Sequence, residues 1–246
     1  MTQRKSAMIL AAGLGTRLGT LTQNKPKALV TINGITLLQL TIENLVKFGY
    51  NHFVVNTHHY AEMIHDFLRT PTFNGFEISI SDESEQLLNT GGGILKALSL
   101  FDKNEAVLVH NVDVLSDIDF RVLHEKFLKS GDDAWLFVQK RTNERKLLCN
   151  ENKQLVGWTN HSTKQYKWAN KPQLHFNEFA FSGLHFFKTS LFANKKPCVC
   201  KIIDLYLEKS QHHRIQLKEI NPNYWFDLGK SETLEKAAIF LSKNTE

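Results

Sequence analysis

The residues best suited to chemistry lie in a glycine-rich loop near the start of the chain. Gly13 and Gly15 follow a short apolar run, and Arg17 and Lys27 come after them. Glycines that follow a strand let backbone N–H groups approach a phosphate closely, and nearby cations neutralise its charge. No acidic residue precedes Glu43, so this stretch holds the whole formal net charge of +5. The loop therefore predicts a site for a compact anion such as a nucleotide phosphate.

Two familiar phosphate-binding loops are excluded by counting residues. A Walker A loop needs G-x-x-x-x-G-K-[ST], which the sequence lacks, and a dinucleotide-binding loop needs Gly or Ala where Leu18 stands. The acidic partner for a ribose, expected about 20 residues after the loop, is also missing. Nucleic acid is a poor fit as a partner, because the positive charge is local rather than spread along a face.

Two carboxylates and a glycine run are further candidates. Asp113 comes just after an apolar run that reads as a buried strand, where open α/β sheets place their ligands, so a Mg²⁺ ligand is favoured over a helix cap. Asp227 precedes a predicted helix, and its negative charge could instead interact favourably with the helix dipole. Gly91 and Gly92 open another predicted helix, where they either admit a nucleotide base or relieve packing.

Apolar periodicity predicts the elements that position these residues. Short apolar runs alternate with helical patterns up to about residue 133, which implies βαβ units and a mostly parallel sheet. Thr36 has the spacing of a helix cap and Gly49 a stop signal for the helix between them. From Ala134 onward strands follow one another with little helix, so an antiparallel portion is expected. The predicted strands are SAMILAA, HFVVN, FEISIS, AVLVH, AWLFVQ, KLLC, QLVGW, FAFSGLHFF and the run from Arg214 to Ile220.

Length and composition limit the possible domain organisation of the chain. The chain has 246 residues, of which 42% are hydrophobic and 22% charged, as in ordinary globular proteins. We expect a single domain with two functional halves, residues 1–133 and 134–246. The apolar runs are too short to span a bilayer, and the first residues lack the pattern of a secretory signal. These features favour a cytoplasmic protein that has no membrane partner.

The ordered motifs resemble a known family, the sugar-1-phosphate nucleotidyltransferases. The resemblance is greatest to the compact bacterial branch, which includes N-acetylmuramate-1-phosphate uridylyltransferases and mannose-1-phosphate guanylyltransferases. It spans nearly the whole chain. The motifs are LAAGLGTRL (residues 10–18), PKAL (26–29), TGGGI (90–94), NVD (111–113), FSG (181–183) and WFDLG (225–229).

The resemblance implies a fold and an activity. The fold is α/β, a Rossmann-like and mostly parallel sheet flanked by helices, of the nucleotide-diphospho-sugar transferase type, with an antiparallel sugar-binding portion. The activity is Mg²⁺-dependent joining of a nucleoside triphosphate and a sugar 1-phosphate, which gives a nucleotide sugar and pyrophosphate for cell-envelope polysaccharide. The base, the sugar and the oligomeric state stay open.

The resemblance also assigns roles to residues. Arg17, Lys27 and Asp113 would be catalytic, and Asp113 and Asp227 would hold Mg²⁺. Substrate contacts would come from Asn111, Glu178 and Gly183. Nucleotide contacts would come from Leu10, Ala12, Gly13, Gly15, Thr16, Arg17, Lys27, Gly91 and Gly92.

Two other functions stay open as alternatives. One is a catalytically silent relative that binds a nucleotide sugar as a sensor or subunit. Such a protein is expected to lose a metal-binding acid or the loop arginine, whereas Arg17, Lys27, Asp113 and Asp227 are all present. The other is a cytidylyltransferase that acts on a non-sugar phosphate such as phosphocholine, since fold and loop alone do not fix the acceptor.

Overall fold

The computed structural model describes residues 4–243, in which strands and helices alternate as the sequence predicts. The strands are β1 (Ser6–Leu10), β2 (Thr31–Ile32), β3 (Ile35–Thr36), β4 (His52–Thr57), β5 (Glu77–Asp82), β6 (Ala106–Asn111), β7 (Val114–Ser116), β8 (Ala134–Gln139), β9 (Arg145–Cys149), β10 (Leu155–Asn160), β11 (Gln165–Trp168), β12 (Asn177–Lys188), β13 (Ile215–Glu219) and β14 (Trp225–Asp227). The helices are α1 (Leu37–Lys47), α2 (Ala61–Leu68), α3 (Asn89–Ala97), α4 (Phe120–Ser130), α5 (Ile202–Lys209) and α6 (Ser231–Lys243). Across these residues, no helix combines the length and apolar character needed to cross a bilayer.

Internal contacts divide the described chain into two compact units. The first consists of residues up to 87, residues 110–120 and residues from 222 onward. The second consists of residues 88–109 and 121–221. The chain therefore enters and leaves the first unit more than once. The expectation of a single domain with halves that divide after residue 133 stays a prediction.

The first unit contains a parallel sheet that carries the glycine loop. Strand β4 lies between β1 and β5, and both pairings are parallel. The central residues of β1 and β4 have no solvent exposure, as continuous apolar runs in a parallel sheet require. Helices α1 and α2 belong to the same unit. The predicted alternation of parallel strands and helices is confirmed.

Helix α1 begins and ends where its sequence signals lie. The Thr36 hydroxyl oxygen accepts a hydrogen bond from the Gln39 N–H at 3.1 Å, which satisfies one of the free donors of the first turn. Gly49 has a φ of 82°, the left-handed conformation that ends many helices. The cap and the glycine thus set the length of the helix that follows the loop.

A short antiparallel ribbon in the first unit was absent from the predicted elements. Strand β7 pairs with β14, and α6 follows β14 directly. Phe240 of α6 packs against Tyr224 and Phe226, with ring centroids 4.7 and 5.6 Å apart. The helix therefore anchors the ribbon through aromatic contacts.

The second unit is mostly antiparallel, as predicted for the part of the chain after Ala134. Strands β11, β10, β9 and β12 are neighbours in that order, and β12 also pairs with β8. These pairings are antiparallel, whereas β13 pairs with β8 in parallel. The core of the unit is aromatic: Phe186 stacks on Phe127 at 5.3 Å and meets the edge of Phe137 at 5.4 Å. The predicted fold class, α/β with a mostly parallel sheet and an antiparallel portion, is confirmed.

Candidate active site

The glycine loop begins where β1 ends and folds back onto Lys27. Gly15 has a φ of 68°, which favours glycine, and a Cβ there would lie 2.9 Å from both the Lys27 Cβ and the Thr22 Cγ2. The Thr22 hydroxyl donates to the Gly15 carbonyl oxygen at 3.1 Å. Gly13 and Thr16 are exposed. The loop therefore needs glycine at position 15 for both conformation and space.

Lys27 and Asp113 form a nearly buried ion pair. The Lys27 Nζ donates to the Asp113 Oδ2, and the two side chains are 9% and 16% exposed. Lys27 opens a short 3₁₀ turn after Pro26, and Asp113 follows β6. Two residues that the sequence singled out separately are thus in direct contact. A pair with so little exposure is screened only weakly by solvent.

The β7–β14 ribbon brings the two predicted metal ligands to neighbouring positions. Asp227 lies opposite Val114 in the ribbon, and Val114 follows Asp113 directly. The Leu228 N–H donates to the Asp113 carbonyl oxygen at 2.7 Å, which extends the pairing by one step. Residues from distant parts of the chain are therefore held side by side by backbone hydrogen bonds.

Arg17 lies beside the second carboxylate. Its Nη1 is 4.0 Å from the Asp227 Oδ2, and the side chains are 57% and 43% exposed. The Gly229 N–H donates to the Asp227 Oδ1 at 3.0 Å. A Cβ on Gly229 would lie 2.5 Å from the Arg17 Nη2 and 2.8 Å from the Asp227 Oδ1. An alanine at position 229 would therefore displace the ends of both side chains.

The two carboxylates suit a magnesium ion that is shared with a nucleotide. Within residues 4–243, no group of three or more His, Cys, Asp or Glu side chains is placed to hold a metal alone. Mg²⁺ commonly takes only one or two carboxylates and completes its shell with water and substrate phosphates. Asp113 and Asp227, whose backbones are neighbours at the ribbon, fit that pattern. They do not form a site in which protein ligands alone surround the metal.

The turn between β6 and β7 packs through Val112. The Val112 N–H donates to the Leu10 carbonyl oxygen at 3.3 Å, and its side chain is buried. The His110 Nδ1–H donates to the Asn111 carbonyl oxygen at 2.8 Å. Burial lowers the pKa of His110 to about 4, so this imidazole is neutral near pH 7. The turn that precedes Asp113 is thus tied to the end of β1.

Comparison with known proteins identifies the family of this chain. The sequence profile described as Nucleotidyl transferase matches residues 6–244. The chain belongs to the nucleotidyl transferase family. Its ordered motifs are thus confirmed as those of a nucleotidyl transferase.

Two relatives of this nucleotidyl transferase illustrate the range of the family. The chain is 44% identical over 111 residues to N-acetylmuramate alpha-1-phosphate uridylyltransferase from Caulobacter vibrioides, and this match covers 44% of the chain and 46% of the relative. It is 26% identical over 229 residues to the mannose-1-phosphate guanylyltransferase catalytic subunit beta from Danio rerio, covering 91% and 61%. The matches therefore span about half to three-fifths of the length of these relatives.

A solved structure supports the nucleotidyl transferase fold. The model is similar to a putative glucose-1-phosphate thymidylyltransferase from Bacillus anthracis, crystallised with a sucrose, with a TM-score of 0.79 and 16% sequence identity. The similarity covers 98% of this chain and 96% of the other. At 16% sequence identity, this similarity establishes a shared fold.

In the second unit of this nucleotidyl transferase, Gly91 and Gly92 are buried at the start of α3. Their N–H groups donate to the Cys200 carbonyl oxygen at 2.9 and 3.3 Å. A Cβ on Gly92 would overlap the Cys198 carbonyl oxygen, and one on Gly91 would lie 2.8 Å from the Lys201 carbonyl carbon. Both glycines therefore have a packing role, and contact with a nucleotide base stays a prediction.

Glu178 and Gly183 lie on β12, also in the second unit. The His161 Nε2–H donates to the Glu178 Oε2 at 2.9 Å. Gly183 has a φ of 81° and lies where the register between β12 and β8 shifts. A glycine is thus needed for the bulge in the strand. Their proposed contacts with an acceptor stay predictions.

Two features of the site were missed by sequence reasoning. Gly229 belongs to the WFDLG motif, but its role depends on its distance to Arg17, which the sequence does not reveal. Asn56 ends the predicted strand HFVVN, and its side chain contacts the loop. The available signal was a polar residue at the carboxyl end of a buried strand, which is the same signal that points to Asp113.

Proposed function

We propose that this nucleotidyl transferase joins a nucleoside triphosphate and a sugar 1-phosphate into a nucleotide sugar, with Mg²⁺ as cofactor. The observation that carries the proposal is the β7–β14 ribbon, which brings the backbones of Asp113 and Asp227 to neighbouring positions. Lys27 lies against the first carboxylate and Arg17 beside the second. The relatives named as uridylyl- and guanylyltransferases of sugar 1-phosphates support the same reaction class.

In this reaction an oxygen of the sugar 1-phosphate forms a bond to the α-phosphorus of the triphosphate. The bond from that phosphorus to the oxygen that bridges to the β-phosphate breaks, and pyrophosphate leaves with the electron pair. Two anions must approach each other, and pyrophosphate, which is itself an anion, must depart. We therefore expect catalysis to depend on positioning and on electrostatic stabilisation rather than on covalent chemistry by the protein.

The charged residues divide these tasks. Arg17, more than half exposed beside the loop, would stabilise the charge that grows on the departing pyrophosphate. Lys27 would hold a phosphate oxygen near the reacting centre. Asp113 and Asp227 would hold Mg²⁺, which when bound supplies charge neutralisation across the phosphates. The backbone of Gly13, Gly15 and Thr16 would cradle the nucleotide.

Further contacts complete the proposal. The acceptor would be contacted by Asn111, Glu178 and Gly183. The nucleotide would also be contacted by Leu10 and Ala12, and its base by Gly91 and Gly92. Because nucleoside triphosphates are made in the cytoplasm, we place the reaction there. The similarity to an N-acetylmuramate-1-phosphate enzyme favours a role in cell-envelope polysaccharide synthesis.

The test is pyrophosphate release with UTP, GTP, CTP and dTTP, each against a panel of sugar 1-phosphates and phosphocholine, with Mg²⁺ and then with excess EDTA. Release that needs one triphosphate and one sugar 1-phosphate, and that stops with EDTA, supports the proposal. Release with CTP and phosphocholine would establish the cytidylyltransferase alternative. No release, with nucleotide binding retained, would establish the silent binding protein.

Matched variants connect the activity to the ribbon. Asp227→Asn is expected to lower kcat by about 10² to 10³, as for the loss of a main electrostatic group. The control is Asp204→Asn, because Asp204 is 41% exposed and pairs with Lys167, which resembles the environment of Asp227. Full turnover in Asp227→Asn would contradict the metal assignment.

A further inference from the structure

The Asn56 side chain holds the segment where β1 becomes the glycine loop. Asn56 is 3% exposed at the end of β4. Its Oδ1 accepts hydrogen bonds from the Ala11 N–H at 2.7 Å and from the Ala12 N–H at 3.4 Å. These two residues directly precede Gly13. The amide oxygen therefore fixes the path by which the backbone enters the loop.

Glu83 fixes the orientation of that amide. Its side chain has no solvent exposure, and its Oε1 accepts a hydrogen bond from the Asn56 Nδ2 at 2.7 Å. An ionised carboxylate only accepts hydrogen bonds, so it selects the amide nitrogen and leaves the Asn56 oxygen directed at the loop. The reverse orientation would place the amide NH₂ against the backbone N–H groups of the loop.

The backbone of Glu83 is held as firmly as its side chain. Its N–H donates to the Thr57 carbonyl oxygen at 2.7 Å, and its carbonyl oxygen accepts from the His58 Nδ1–H at 2.8 Å. Thr57 and His58 directly follow Asn56. The end of β4 and the residue after β5 are therefore joined by several hydrogen bonds next to the glycine loop.

Burying a carboxylate is costly unless its hydrogen bonds compensate, so full burial at this place calls for a role. We propose that Asn56 and Glu83 are positioning residues that hold the glycine loop in the conformation that binds the triphosphate. The proposal rests on the proposed function, because it assigns these residues to the same nucleotide site. Neither residue needs to touch the substrate.

The donor–acceptor direction of this contact provides the test. In Asn56→Asp the new carboxylate can still accept from the loop, but it faces the Glu83 carboxylate and no longer donates to it. In the double variant Asn56→Asp/Glu83→Gln the Gln amide donates to the Asp carboxylate, which restores the hydrogen bond in the opposite direction. The double variant also keeps the total charge of the wild type.

The measurements are equilibrium binding of UTP and of GTP without acceptor, and KM for each substrate. In Asn56→Asp we expect the Kd of the bound triphosphate to rise about tenfold, the effect of disrupting a buried hydrogen bond. The acceptor KM should change less than about twofold, whereas general destabilisation would affect both substrates. The double variant should recover most of the triphosphate affinity. Asn143→Asp is the matched control, because Asn143 makes its backbone hydrogen bond in an exposed loop of the second unit.

Wild-type triphosphate affinity in Asn56→Asp would overturn the inference, and so would a double variant that binds no better than the single one. If Asn56→Asp alone does not fold, the double variant decides. Near wild-type affinity in the folded double variant supports the inference, and a Kd about tenfold or more above wild type overturns it. If the wild type itself neither binds a triphosphate nor releases pyrophosphate, the proposed function fails instead.

Discussion

Replacing Gly229 with alanine tests whether Arg17 and Asp227 must approach each other for activity. The added Cβ would lie 2.5 Å from the Arg17 Nη2, whereas relaxed contacts between heavy atoms need about 3.5 Å. The guanidinium group must therefore move by about 1 Å. A misplacement of that size can cost about 10²-fold in rate, or about 2.7 kcal/mol of transition-state stabilisation.

The same substitution should leave the folded protein stable. The atoms that must move, the Arg17 Nη2 and the Asp227 Oδ1, are the ends of side chains that are 57% and 43% exposed. Gly229 also lacks the positive φ that would strain an alanine. Reduced freedom of the unfolded chain even favours alanine slightly. We therefore expect the free energy of unfolding to change by less than about 1 kcal/mol.

Two assays and a double-variant cycle check the prediction. Pyrophosphate release below KM should give a kcat/KM about 10²-fold lower for Gly229→Ala, while urea unfolding shows unchanged stability. Arg17→Ala removes one of the two groups that the Cβ displaces, so adding Gly229→Ala to it should cause a smaller loss than in the wild type, and the remainder reports the shift of Asp227. Wild-type kcat/KM in Gly229→Ala, or an equal loss in the Arg17→Ala background, would contradict a role for the displaced guanidinium group.

Three further predictions concern stability. Thr36→Ala removes the cap that receives the Gln39 N–H and should cost about 1 kcal/mol in urea unfolding, whereas an unchanged midpoint would show that the cap contributes nothing. Phe186→Ala truncates a fully buried aromatic side chain, so the free energy of unfolding should fall by about 3–5 kcal/mol in the same measurement. A decrease below about 1 kcal/mol would argue against tight packing around this ring. Burial lowers the pKa of His110 to about 4 and that of His185 to about 3, from 6.5, so both bind protons only after unfolding. Stability should be full above pH 6.5 and should fall on acidification, by about 2 kcal/mol for each histidine at about pH 5, whereas equal unfolding free energies at pH 7.5 and 5 would contradict it.

The local elements and the types of side chain at the site could be predicted from the sequence alone. Apolar runs such as those of β1 and β4 are buried because the helices that connect parallel strands cover both faces of the sheet. Thr36 and Gly49 fix the ends of α1 through local hydrogen bonding and backbone conformation, which neighbouring residues decide. The glycine loop was recognisable for the same reason, since its spacing reflects a local requirement of the backbone.

Which of these residues come into contact depends on the tertiary fold. The β7–β14 ribbon consists of two three-residue strands, too short for a periodic signal, and each is a strand because the other pairs with it. The contacts of Lys27 with Asp113 and of Arg17 with Asp227 depend on this pairing. The charged groups were readable from sequence, but their distances come from backbone hydrogen bonds between segments that are far apart along the chain.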